Sequence, residues 1–68
     1  MSMKLARQAA RQGRGCGLDR NIHGEFTMGF YLRGKGAGVR YGQVVRPTRE
    51  AVREAAREAG FVEVVDRT

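Results

Sequence analysis

Glu25-Phe26-Thr27-Met28-Gly29-Phe30-Tyr31-Leu32-Arg33 alternates without a break. Phe26, Met28, Phe30 and Leu32 fall on one side, and Glu25, Thr27, Gly29, Tyr31 and Arg33 on the other. A strict period of two marks a β-strand, and a wholly apolar side must lie against a core. The fold follows from what the rest of the chain supplies to cover that side.

Downstream, Arg33-Gly34-Lys35-Gly36-Ala37-Gly38 reads as a glycine-rich hairpin loop. Residues 39–45 return as a second strand, with Val39, Tyr41 and Val45 on one face and Arg40, Val44 and Arg46 on the other. Pro47 then keeps Arg46 extended, and Thr48 is placed to cap a helix over residues 49–59, with Glu50 complementing its dipole. That helix repeats every four residues. An arginine stripe (Arg49, Arg53, Arg57) lies beside a glutamate stripe (Glu50, Glu54, Glu58), and an Ala/Val arc is left to dock on a sheet. The Glu50–Arg53 and Glu54–Arg57 spacings suit ion pairs that support the helix, so its arginines read as structural. Gly60 is the expected left-handed stop, with Phe61 folding back after it.

Upstream of the deciding strand, Asn21-Ile22-His23-Gly24 reads as a turn, and residues 17–22 as a short partner strand. A first helix is expected over residues 3–12, capped by Ser2, with Leu5, Ala6, Ala9 and Ala10 on one face and Lys4, Arg7 and Arg11 opposite. Gly13 ends it and opens the basic joint Gly13-Arg14-Gly15-Cys16-Gly17. The expected whole is one α+β domain of order αβββα. An N-terminal basic helix (1–13) precedes a β-meander (17–46), a C-terminal helix (48–60) and an extended tail (61–68). A three-stranded antiparallel sheet packs on the C-terminal helix, and the tail valines leave a terminal strand open as an alternative.

The chain has 68 residues and a formal charge of +6, from 13 Lys+Arg against 7 Asp+Glu. The excess is uneven: residues 1–46 hold nine basic against two acidic side chains, and residues 47–68 hold four against five. Eleven of the 13 basic residues are Arg, whose planar fork makes bidentate bonds to phosphate, carboxylate and guanine. A GC-rich genome also favours Arg, so the net charge carries more than the ratio. Ten glycines and no Trp in so short a chain leave a thin stability margin, which a homodimer or a partner would widen. Cys16 is alone, so no intrachain disulfide forms. No apolar run approaches the roughly 20 residues that span a membrane, and the start resembles no signal peptide. The expectation is a complete small cytoplasmic protein with no membrane partner.

Chemistry is sparsely supplied. His23 is the lone histidine, and neither Cys16 nor Glu25 stands at a spacing that implies a triad, so a turn or phosphate-contact role suits it better. One Cys and one His do not make a structural zinc site. The Gly34–Gly38 run lacks a Walker pattern and lies between strands instead of opening a helix. No enzyme, cofactor or metal is expected. The better candidate is a basic sheet face and its loop: Arg14, Arg20, Tyr31, Arg33, Lys35, Arg40 and Arg46, meeting DNA, RNA or an acidic protein surface.

Gly24-Glu25-Phe26-Thr27-Met28-Gly29-Phe30-Tyr31-Leu32-Arg33, Val39-Arg40-Tyr41-Gly42-Gln43-Val44-Val45 and Thr48-Arg49-Glu50-Ala51 together resemble the three-stranded-sheet-plus-helix DNA-binding domains of phage and transposon integrases. Plant ethylene-response-factor domains share that plan. The resemblance implies a sheet inserted in the major groove and gives that contact to Arg20, Tyr31, Arg33 and Arg40. The middle-strand tryptophan usual there is missing, and the linker before the helix is longer. The αβββα order also looks like double-stranded RNA-binding domains and HicA-type mRNA-cleaving toxins. Ile22-His23-Gly24 stands near the place of the toxins' Gly-Ser-His without matching it. Three functions are therefore carried forward: a nucleic-acid-binding accessory protein of a phage or mobile element, a phage-type inhibitor that binds a host complex (anti-defence or anti-CRISPR-like), and a HicA-like ribonuclease resting on His23.

Overall fold

A computed structural model of the chain describes residues 3–34, 36 and 38–68; Ser2 and Lys35 lie outside the described residues. The elements are α1 (Met3–Arg11), β1 (Cys16–Arg20), β2 (Phe26–Arg33), β3 (Val39–Arg46), α2 (Arg49–Ala59) and β4 (Val64–Asp66). The α+β class and both helices match the expectation. The sheet is larger than expected: four strands in the order β3-β2-β1-β4, antiparallel except where β4 runs parallel to β1. The expected three-stranded antiparallel sheet is thus a four-stranded mixed one. A parallel neighbour requires a crossover connection, and α2 supplies it by carrying the chain from β3 across the sheet to the far side of β1.

Both helices lie on the side of the sheet that buries Cys16, Leu18, Met28, Phe30, Leu32 and Val44. Alanines make this close approach possible. Ala6 and Ala9 of α1, and Ala55, Ala56 and Ala59 of α2, are buried in the same core as Val52, and Phe61 folds back to meet Phe30 with ring centroids 5.8 Å apart. Phe30 is the largest fully buried side chain, and its space exists because its cross-strand partner is Gly42.

Both ends of α2 and the C-terminus of α1 are built as the sequence predicts. The Thr48 side chain accepts from the Ala51 amide at 3.1 Å, and Gly60 ends α2 at φ 94° with its own and the Phe61 amide turned back onto the Arg57 and Ala56 carbonyls. α1 ends the same way at Gly13, where the Arg14 amide reaches the Ala9 carbonyl at 3.1 Å. No helix is long and apolar enough to cross a membrane.

Candidate functional site

The β2–β3 register decides where each predicted side chain goes. Arg33 pairs with Val39, Tyr31 with Tyr41, and Gly29 with Gln43, all on the side away from the helices. Arg40 pairs with Leu32, and Arg46 with Phe26, so both leave the sheet on the helix-bearing side. Arg20 is also opposite Phe26. Tyr31 and Arg33 therefore do not share a face with Arg20, Arg40 and Arg46, and the expected basic sheet face does not form as a single surface.

Instead the cations gather at two ends. At the hairpin end, Lys4 and Arg11 of α1 line an open groove with Arg40 on the helix-bearing side, Arg33 stands at its rim, and Arg14 lines the adjoining hollow with Arg33. No carboxylate is among the described residues that line either. Two local devices hold this arrangement. The Schellman-type turn at Gly13 fixes where Arg14 leaves α1. The Gln12 amide then clamps the Arg33 backbone, accepting from its N–H at 2.7 Å and donating to its carbonyl at 3.0 Å. At the opposite end of the eight-residue β2, Arg20 and Arg49 sit over Phe26, 5.4 Å and 5.8 Å from its ring centroid. The two ends are roughly 23 Å apart at strand spacing. Three predicted residues (Arg14, Arg33, Arg40) thus meet at the groove, and Arg20 and Arg46 belong to the other end.

The remaining arginines are occupied. Arg53 pairs with Asp66 at 2.7 Å, Arg57 with Glu54 at 2.9 Å, and Arg7 with Glu58 at 3.2 Å. The expected Glu54–Arg57 pair is present, whereas Arg53 turns to β4 instead of Glu50. Arg67 grips Asp19 through two hydrogen bonds of 2.9 Å and 2.6 Å, and this hydrogen bonding holds the Asp19 carboxyl below its ordinary value.

The sheet side away from the helices is aromatic at its centre. Tyr31 and Tyr41 meet edge to face, 5.1 Å between centroids, and are 57% and 54% exposed. Gly17 and Gly29 face each other across β1 and β2 and leave a trough between them. A β-carbon at Gly29 would collide with the Tyr41 hydroxyl, and one at Gly17 with the Arg67 guanidinium, so these two planar groups lie directly on the glycine floor.

His23 is exposed in the turn, where the Asn21 side chain accepts from its amide at 2.9 Å. Cys16 is buried at the far end of β1 from that turn, and burial pushes its thiol up to about 11. Among the described residues no group of three His, Cys, Asp or Glu side chains gathers as a metal site.

Sequence reasoning did not place Gln12, Tyr41, Arg67 or the glycine trough in the site. A signal for the trough was present: Gly29 occupies an outward position in the strongest strand, where glycine marks a close approach. Comparison with protein-family models, curated proteins and solved structures returns no match, so it bears on neither resemblance.

Proposed function

We propose that this protein is a small nucleic-acid-binding accessory module that grips phosphates at the hairpin end of its sheet. The observation that carries this is the groove between α1 and the β2–β3 hairpin, lined by Arg11 of α1 and Arg40 of β3 on the helix-bearing side with Arg33 of β2 at its rim, and with no described acid in its lining. Cations lining one groove with no described acid among them raise the local positive potential. An anion laid along the groove is attracted to it, and a polyanion also gains by releasing its own counterions. Arginine dominates the set, which suits phosphate through its bidentate fork. The Gln12 clamp holds the Arg33 backbone in place before binding, so less ordering is needed on contact.

Charge reversal separates the two basic ends. Binding of fluorescein-labelled duplex and single-stranded 12-mers is measured by anisotropy at low salt, with circular dichroism to check folding. Arg33→Glu/Arg40→Glu is expected to weaken binding by about a hundredfold, since two phosphate contacts become repulsive, and Arg20→Glu/Arg46→Glu by only about threefold. Folded wild-type protein that shifts no probe would overturn the proposal and favour an acidic protein partner.

A further inference from the structure

The groove accounts for phosphates but leaves the exposed tyrosine pair and its glycine trough without a role. We infer that this face receives the unstacked bases of a single strand, stacked on Tyr31 and Tyr41, while the backbone of the same strand runs through the Arg33 end. The inference rests on the nucleic-acid reading above and names its substrate class.

Three observations on one surface carry it. Tyr31 and Tyr41 present two rings at the sheet centre, each more than half exposed, without the covering side chains that bury aromatics in a core. Gly17 and Gly29 let the Arg67 guanidinium and the Tyr41 hydroxyl lie flat on the sheet beside the rings, and the shallow open hollow over them has a volume of about 350 Å³. Its lining includes the flat guanidinium of Arg67, a further stacking plane beside the two rings. Aromatic faces and arginine planes are what unpaired bases stack on, whereas paired bases in a duplex have no face to offer.

Charge sets the direction of the strand. Arg33 stands two residues from Tyr31 on the same side of β2, roughly 7 Å away, which puts a phosphate contact next to the rings. At the opposite, β1–β4 edge of the hollow Asp19 is paired with Arg67, and Glu63 is left as the carboxylate that disfavours a phosphate there. The backbone is therefore favoured at the Arg33 end, with the bases pointing inward across the tyrosines. The Glu63 carboxylate can also accept from the amino groups that unpaired bases expose, as Glu does from cytosine. An apolar protein partner would satisfy the rings and Val39 but would leave the adjoining cations unanswered.

The test uses the full chain and labelled 12-mers by anisotropy: a mixed-sequence single strand, its duplex, and an abasic strand that keeps every phosphate. Tyr31→Ala/Tyr41→Ala should weaken single-strand binding by at least about tenfold, change duplex binding by less than about twofold, and leave the salt dependence of both unaltered. Tyr31→Phe/Tyr41→Phe keeps the rings and should bind as wild type. Gly29→Val, which fills the floor under Tyr41 without changing charge, should also lose single-strand affinity. The abasic strand should bind the wild type as weakly as the normal strand binds the alanine variant. Equal binding of abasic and normal strands, or an alanine variant that binds single strands as wild type does, would overturn the inference while leaving the groove proposal standing. Failure of every probe to bind would remove both. A dimer in sedimentation equilibrium that the alanine variant converts to monomer would also overturn it, by placing a second copy on the face.

Discussion

At the scale of single residues, glycines decide most of what this small protein can do. Gly60 and Gly13 end helices at positive φ, and both were legible because a glycine after an apolar-periodic run has few other uses. Gly17 and Gly42 were not legible as spacers, and Gly29 signalled a close approach without naming its partner, because their work depends on the residue across the strand, and register is not written in local sequence. Gly42 is the most consequential for stability. The Phe30 ring lies on it, so that a β-carbon there would overlap ring atoms that belong to the packed core. Gly42→Ala is therefore expected to lower unfolding free energy by about 1–3 kcal/mol, as overpacking does, although alanine is the better strand residue. Urea denaturation checks this. Gly36→Ala, in the loop with open space around it, serves as the comparison and should cost less than Gly42→Ala despite its positive φ.

At the scale of elements, β2 was readable because its alternation is unbroken over eight residues, and α2 because capping, charge stripes and a glycine stop agree. β4 is legible in the sequence only as an alternative to an extended tail, because its three exposed residues carry no pattern of their own. What makes them a strand is distant: a parallel register on β1 brought about by the α2 crossover, extended by the Arg67 amide donating to the Leu18 carbonyl at 2.9 Å. Two carboxylates hold the segment down. Hydrogen bonds from the Thr68 hydroxyl and amide, and then from Arg53, lower Asp66 to about 2, and Arg67 lowers Asp19. A carboxyl whose folded value is depressed contributes stability fully above its ordinary value near 3.8 and loses it as pH falls through the folded value. The attachment of β4 should thus be unchanged from pH 7 to about 5 and should loosen between about pH 4 and pH 2. Amide exchange of Val65 and Arg67 reports it. Asp66→Asn should raise their exchange at pH 7 and remove much of its acid dependence.

At the scale of the whole molecule, the charge asymmetry read from the sequence persists in three dimensions but changes shape. The first 46 residues do carry the excess positive charge, and the α2 arginines are largely tied to acids and to the C-terminal residues. The excess does not spread over the sheet. It divides between the hairpin groove and the Phe26 end, because successive strand residues point to opposite sides and Arg40 and Arg46 fall on the side of Leu32 and Phe26. The surface left facing outward is aromatic and apolar, with Arg33 at one end and the Asp19–Arg67 pair at the other. The proposed polyanion contact at one end of the molecule and the proposed base contact at its centre are thereby adjacent but separable.

The most direct test of the central claim is the salt dependence of single-strand binding. Four arginines of the groove and its adjoining hollow, Arg11, Arg14, Arg33 and Arg40, each displacing counterion from the strand, predict a log–log slope of about −3. Arg33→Ala/Arg40→Ala should reduce it to about −1.5. Binding that is insensitive to salt, or a slope that the double substitution leaves unchanged, would contradict the assignment of phosphates to this groove.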